Sequence, residues 1–368
     1  MSPFKLLEYL KRKKPGPARL FVSIGMGENQ LPLIIQARAL GFRVIGVDRN
    51  TKAFAAAHCD LKIQESIDSH AEILERLEEI SVYGDIRGVL SKSYGAAVRT
   101  ACHIANRLGF PMFPWERMDD FIVKTRMKAV FEREGIPSPG YMVMDASRAG
   151  QMKAAKLLFP LVVKPVAGHA KTGVRLVTNR REFQQFTRSL SPRGTEFIAE
   201  EHVAGDEVIA LGIVHGGVFH LAALTDKQTT PAPYFVDLLH VTPSVHHALW
   251  SDVKSVGQRI ANAFQIQSSP LVIELIVTAG GSISVIEAVP EFGGEYLPDY
   301  LVPHATGYNL LEQAIRAATG MPFTPPPERA PRTAVAVRFL SAGKGRLVSI
   351  NPEAAKSMPG VILARALK

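Results

Sequence analysis

Short apolar runs alternate with amphipathic stretches over the first third of the chain. Arg19–Ile24 (RLFVSI) reads as a buried strand. A glycine-rich turn at Gly25-Met26-Gly27, an apolar-periodic run from Leu31 to Leu40, and a second strand from Phe42 to Val47 ending at Asp48 follow it. The pattern then predicts a helix over Ala71–Ile80, a strand over Gly88–Ser91 and a helix over Ala96–Leu108. Strands separated by helices of this length make a mainly parallel, doubly wound α/β sheet, closing near Pro114. Residues 115–140 predict a helix carrying Lys124, Arg126 and Lys128, stopped by Gly135 and Pro137. Beyond it come a strand at Leu161–Lys164, a small-residue loop from Gly168 to Gly173, two strands around Ala204-Gly205-Asp206, and an apolar strand at Val218–Leu224. Residues 225–244 are rich in Thr and Pro and read as a long irregular loop, of the kind that is often functional. A helix over Ser251–Phe264, a hairpin over Leu271–Gly294, a helical segment over residues 297–320 and a β-rich tail from Thr333 complete the pattern.

The hairpin carries the sharpest chemistry. Two apolar runs flank Gly280-Gly281, a two-residue turn signal. That turn pairs Ala279 with Ser282 and Thr278 with Ile283, and the same register sets Glu274 opposite Glu287. Directly opposed residues have Cβ atoms roughly 4.5–5.5 Å apart. Two carboxylates at that separation repel unless protonated or bridged by a cation. Oxygen-only ligation suits Mg²⁺, which takes one or two carboxylates plus substrate phosphates. The plain alternative puts both glutamates on a solvated face. In the predicted register that face also holds Val272, Ile276, Ile283 and Val285, which is too apolar for a wet surface and favours the metal.

Composition narrows the class. The 368 residues are enough for two or three domains, and 46% apolar with 21% charged residues is ordinary for a globular protein. No window has the ~18 uninterrupted apolar residues of a membrane span. Phe4, Leu7 and Leu10 recur at helical spacing in a short basic amphipathic N-terminal helix, more readily packed or frayed than docked on a membrane through Lys11–Lys14. Cys59 and Cys102 are too few for a disulfide framework or a zinc site, which fits a reducing, cytoplasmic setting. The net charge of +9 could steer an anionic ligand. The basic residues are scattered, with no RNA-binding aromatic signature or zinc-finger spacing, so no nucleic-acid partner is expected. Gly25-Met26-Gly27 lacks the third glycine of a dinucleotide fingerprint, Asn29-Gln30 standing in its place, and reads instead as a tight turn.

Gly168–Gly173 is a small-residue loop with Lys171 between two strands, able to offer N–H groups and a cation to phosphate, though not a Walker loop. Glu200, Glu201 and Glu207 lie close in sequence; Glu207 leads into an apolar strand and so points to a cleft rim.

The order of these pieces (a doubly wound first domain, a helix lysine, VVKPVAGHAKTGV, EEHVAGDE, and a two-glutamate hairpin ending in Gly293-Gly294) resembles the ATP-grasp superfamily from about residue 19 to about 360. Its closest flavour is the carbamoyl-phosphate-synthetase-like and biotin-carboxylase-like carboxylate–amine ligases. The resemblance implies a doubly wound domain over 1–114 and a two-lobed ATP-grasp domain of α+β character, with lobes over 115–203 and 204–368. It further implies that Lys124 and Lys164 reach the nucleotide phosphates and that Gly168, Lys171 and Gly173 belong to a loop closing over the triphosphate. Glu200, Glu201 and Val203 would hold adenine, Glu207 the ribose, and Glu274 and Glu287 the magnesium, with manganese as the alternative ion. The implied reaction activates a carboxylate with ATP and joins it to an amine, that of an amino-acid-like substrate; an acidic carrier protein and a homodimer are further partners to test.

Departures from the family leave questions open. The usual E-x-N-x-R after the second glutamate is here Glu287-Ala288-Val289-Pro290-Glu291, so Val289 replaces a ligating amide and Glu291 an arginine. Glu291 is then a third magnesium ligand, or it receives a cationic or amine-bearing substrate while Arg338 or another arginine handles the anion, or catalysis is weakened. The alternative to a ligase is therefore an ATP-binding homologue with altered chemistry, acting as a regulatory or partner subunit. Ala170 and Lys171 also stand where the family often has Gly and Ser. Set against the family, the resemblance implies an abbreviated C-terminal lobe.

Overall fold

The computed structural model describes residues 18–145, 158–166, 173–189, 196–231, 235–294, 296–328, 333–340, 346 and 348–366. The expected N-terminal helix and the loop residues Gly168 and Lys171 lie outside them. Two compact units are present, residues 1–337 and 338–368. In the second, the short helix Pro352–Lys356 is capped by the Asn351 side chain, which accepts from the Ala354 N–H at 3.2 Å. No described helix is long and apolar enough to cross a membrane.

The first unit contains three sheets. Strands β1 (Ala18–Ile24), β2 (Arg43–Val47), β3 (Leu61–Ile63) and β4 (Gly84–Leu90) form a parallel sheet in the order β3-β2-β1-β4. Its strands are apolar on both faces because helices cover both. Leu20, Val22, Ile24 and Ile45 pack with Ile73, Leu77 and Ile104 of the helices His70–Ser81 and Ala96–Arg107. On the opposite face Phe21 and Val44 meet Leu33 and Ile34 of the helix Leu31–Ala39 and Ile315 of the helix Leu310–Ala318. That second core continues into Leu211, Ile213 and Val272 of the largest sheet, so the two sheets share one apolar layer.

Strands β5 (Tyr141–Asp145), β6 (Leu161–Pro165), β7 (Arg175–Val177) and β8 (Glu196–Glu201) form a small antiparallel sheet ordered β5-β8-β6-β7. Its core is Leu161, Val163, Phe183 and Phe197, with a few neighbours. The third sheet has the order β13-β12-β9-β10-β11-β14, from β9 (Asp206–His215), β10 (Val218–Thr229), β11 (Asp237–Thr242), β12 (Ser268–Val277), β13 (Ile283–Val289) and β14 (Val335–Arg338). Gly205, between the small sheet and this one, sits so close to the Val277 carbonyl that a Cβ there would collide with it.

Three expectations change. Residues 225–244 are mostly strand: β10 continues to Thr229 and β11 returns from Asp237. The end of β10, residues 225–229 (TDKQT), has no apolar residue, which removes the alternation by which a strand is read, although Lys227 there is buried at the cleft. Among the described residues the tail from Thr333 holds one strand, β14, rather than a β-rich segment.

The hairpin also turns differently. The Gly281 N–H donates to the Thr278 carbonyl at 2.8 Å, and Gly281 takes φ +79°, so the loop is a turn closed by a left-handed glycine. Val277 then pairs with Ile283 and Leu275 with Val285. A bulge at Ile286 restores the predicted register at Glu274↔Glu287. Val285 and Ile283 consequently join the core on the opposite face from the glutamates.

Candidate functional site

A cleft of about 540 Å³ lies between the small sheet and the glutamate face of the large one. Neighbouring strands of the large sheet each place a charged residue on it. Lys227 on β10 stands opposite Glu207 on β9, and Glu274 on β12 stands opposite Glu287 on β13. Lys227 is 2% exposed and bonds three carboxylates: Asp237 at 3.3 Å, Glu274 at 3.4 Å and Glu207 at 3.5 Å. At the far side Lys124, first residue of the helix Lys124–Arg133, bonds Glu287 at 3.1 Å.

A second charge group is more deeply buried. Lys164 on β6 bonds Glu200 on β8 at 2.8 Å, and Lys128, one turn beyond Lys124, lies 3.6 Å from the other oxygen of Glu200. Lys128 and Glu200 are 2% and 3% exposed. Burial pushes the Lys128 ammonium down to about 8, with Glu200 opposing the shift and Lys164 adding to it. Glu200 was expected to face a base; here its carboxylate lies between two lysines, joining the helix to the small sheet.

Lys124, Lys164, Glu200, Glu201, Val203, Glu207, Glu274, Glu287 and Glu291, all marked from sequence, thus meet at one cleft. Gly173 takes φ +77° beside Pro165, at the described end of the loop. Arg338 opens the second unit and is exposed, so no part in the cleft is assigned to it.

Two features had no sequence signal. Lys227 falls in the stretch read as irregular. Lys92 and Asp299 are 6% and 7% exposed and pair at 3.3 Å, although 207 residues separate them. Their bridge ties the loop after β4, which brings Tyr94 to the cleft, to the π-helical turn Leu297–Leu301, which brings Leu297. A π turn preceded by Tyr296 at φ +62° is the kind of local irregularity that gathers at functional sites.

The electrostatic balance points to a cation. Among the described residues the lining carries seven carboxylates (Glu200, Glu201, Glu207, Asp237, Glu274, Glu287 and Glu291) against three lysines. Burial, then the charges of Glu287 and Glu274, push the Glu291 carboxyl up to about 8. Burial acts to raise Glu287 as well, but Lys124, helped by Lys164 and Lys227, holds it below its ordinary value. An anionic ligand entering so acidic a cleft needs an accompanying divalent cation, and the opposed pair Glu274/Glu287 offers the one or two carboxylates that Mg²⁺ requires. No three described His, Cys, Asp or Glu side chains converge to hold a metal. Glu291 is therefore not placed as a third ligand, and Val289, which also lines the cleft, supplies no ligating oxygen.

The raised Glu291 gives a stability prediction with a definite sign. The folded state holds its proton more tightly than the unfolded chain. Its contribution is therefore full below the ordinary carboxylate range and is lost as pH rises toward 8. Without metal, Glu291→Gln should melt nearly like the parent at pH 5 and be more stable at pH 8.5, by an amount on the order of 4 kcal/mol. Calorimetric melts at both pH values check this, and a difference that does not grow with pH contradicts it.

A family profile described as an ATP-grasp domain matches residues 157–299. An uncharacterized protein, y4rH, of Sinorhizobium fredii is 30% identical over 298 residues, 75% of this chain and 58% of that one. A D-alanine–D-alanine ligase of Stutzerimonas stutzeri is 30% identical over 207 residues, 54% of this chain and 61% of that one. The chain thus spans less than two thirds of either relative. Among solved structures, an L-amino acid ligase from Bacillus licheniformis superposes with a TM-score of 0.68 at 20% identity, covering 82% of this chain and 75% of that one, a likeness of fold.

Proposed function

We propose that this chain, which belongs to the ATP-grasp superfamily, uses ATP and a divalent cation to activate a carboxylate as an acyl phosphate and to join it to an amine. The observation that carries this reading is the charged face of the large sheet. Opposed glutamates stand at one end, lysines reach in from the helix Lys124–Arg133 and from β6, and the acidic excess calls for a cation.

Glu274 and Glu287 would hold the ion, magnesium or manganese. When bound, it neutralises phosphate charge and orients the transferring group. Lys124, which bonds Glu287 at 3.1 Å, would face the phosphates beside the ion. Lys164 reaches the phosphates from β6, held in place by Glu200 and, behind it, by Lys128. Adenine lies against Glu201 and Val203 at the end of β8, within reach of Glu200, and the ribose against Glu207. Glu291 receives the amine and accepts its proton. A raised carboxyl pKa suits it to that step, since a base works best when its pKa lies near the working pH. The chain's own part is positioning and charge stabilisation.

Release of ADP that depends on a carboxylate and an amine together, in a screen of pairs, is the expected result. ADP formed with a carboxylate alone would mark a kinase. Tight ATP binding without turnover on any pair would mark a binding subunit, the outcome that Val289 and Glu291 in place of the usual Asn and Arg would then explain.

A further inference from the structure

A second, smaller cavity of about 60 Å³ opens beside the acidic end of the cleft. Tyr94, Lys124, Glu287, Val289 and Glu291 line both, so the two are continuous at that point. Its inner wall is apolar: Val98 from the helix Ala96–Arg107; Met118, Phe121 and Ile122 from the short helix Met118–Ile122; and Pro290 after β13. This wall is fixed. Phe121 stacks on Phe264 at 4.3 Å and meets Phe113 edge-on at 4.9 Å, while Arg99 ties the two helices together through Asp119 at 2.5 Å.

The mouth differs from the wall. Glu287 and Lys124 pair with each other across it. Among the described residues the Glu291 carboxyl has no basic partner, although it stands in the same mouth. A carboxyl group without a basic partner, next to an apolar recess with room for about four small heavy atoms, describes the two ends of one ligand.

We propose that Glu291 and this recess form the acceptor subsite and select a primary amine on a small aliphatic group, the nitrogen against Glu291 and the alkyl part among Val98, Phe121 and Ile122. The inference rests on the ligase reading and names its second substrate class. A rigid recess rejects larger groups by overpacking, and a methylene too many or too few in such a pocket changes binding roughly 10-fold or more. The opposite charge at position 291 would attract a carboxylate and repel the amine.

The test uses the full chain loaded with Mg²⁺ and a non-hydrolysable ATP analogue, titrated calorimetrically with methylamine, isopropylamine, hexylamine and benzylamine. ADP release from ATP with the same amines, each paired with the members of a carboxylate panel, is followed in parallel. Isopropylamine should bind about 10-fold more tightly than benzylamine. Ile122→Ala should shrink that ratio several-fold by lengthening the recess, and Ile122→Phe should move the preference to methylamine. Glu291→Gln, independent of recess packing, should weaken every amine about 10-fold. Affinity that rises steadily with alkyl size and ignores both positions overturns the subsite. Amine-dependent ADP release without size selectivity overturns it while the ligase reading stands. Size-selective amine binding with no ADP release on any carboxylate supports the subsite and overturns the ligase reading.

Discussion

Glu287→Gln should leave the chain folded and remove metal-dependent nucleotide chemistry. The substitution keeps the side chain's shape and hydrogen-bonding reach but removes its charge. In the parent, Glu287 remains ionised against the pull of burial because Lys124, Lys164 and Lys227 surround it. It is the carboxylate at this end of the cleft best kept charged for a cation. With glutamine there, Glu274 is the remaining member of the opposed pair, and it also bonds Lys227 at 3.4 Å. The loss in turnover should be on the order of 10²–10³-fold or greater, the scale of removing one preorganised charge contact in a transition state. Stability should change little. The lost Lys124 bridge at 3.1 Å is partly exposed and costs about 1 kcal/mol at most. Because the substrates are separate unknowns, the cleaner measurement is ATP affinity with and without Mg²⁺. The parent should show a large metal-dependent gain and the variant almost none. Equal gains would remove the hairpin from the mechanism.

How much of this was legible depends on what each residue had to satisfy. The first sheet was readable because strands covered on both faces are mostly apolar, and β1 is LFVSI from its first buried position onward. The glutamate pair was readable for the opposite reason: charge inside an apolar strand is an anomaly, and its register survived an error in the turn because the bulge at Ile286 compensates. The same turn error misplaced Val285 and Ile283. Alternation is a parity argument, and one extra residue reverses it.

The missed features share a cause. β10 ends in five polar residues, 225–229, so its cleft-facing Lys227 looked like loop composition. Lys92 and Asp299 are ordinary charges in sequence; only the fold reveals them as a buried pair. Glu200 was correctly brought to the cleft, but its two lysine partners come from a helix and a strand that sequence spacing does not relate.

Lys227 carries the largest expected structural effect, and Lys227→Met is the variant that shows it. Methionine fills nearly the same volume, so packing is conserved and the change is electrical. Glu207, Asp237 and Glu274 would then face one another across three adjoining strands and the returning β11, without the ammonium that lies 3.3–3.5 Å from each. Breaking a buried charge network by removing one side costs about 3–5 kcal/mol. In a chain of this size that is a fall in melting temperature of roughly 5–15 °C. Mg²⁺ with an ATP analogue should restore more stability to the variant than to the parent, since a cation at Glu274 supplies the missing charge. A variant that melts like the parent at pH 7.5 would mean the three acids find solvent instead. Lys227 would then be a ligand-facing lysine with no part in holding the sheet, and its loss would appear only as weaker nucleotide binding.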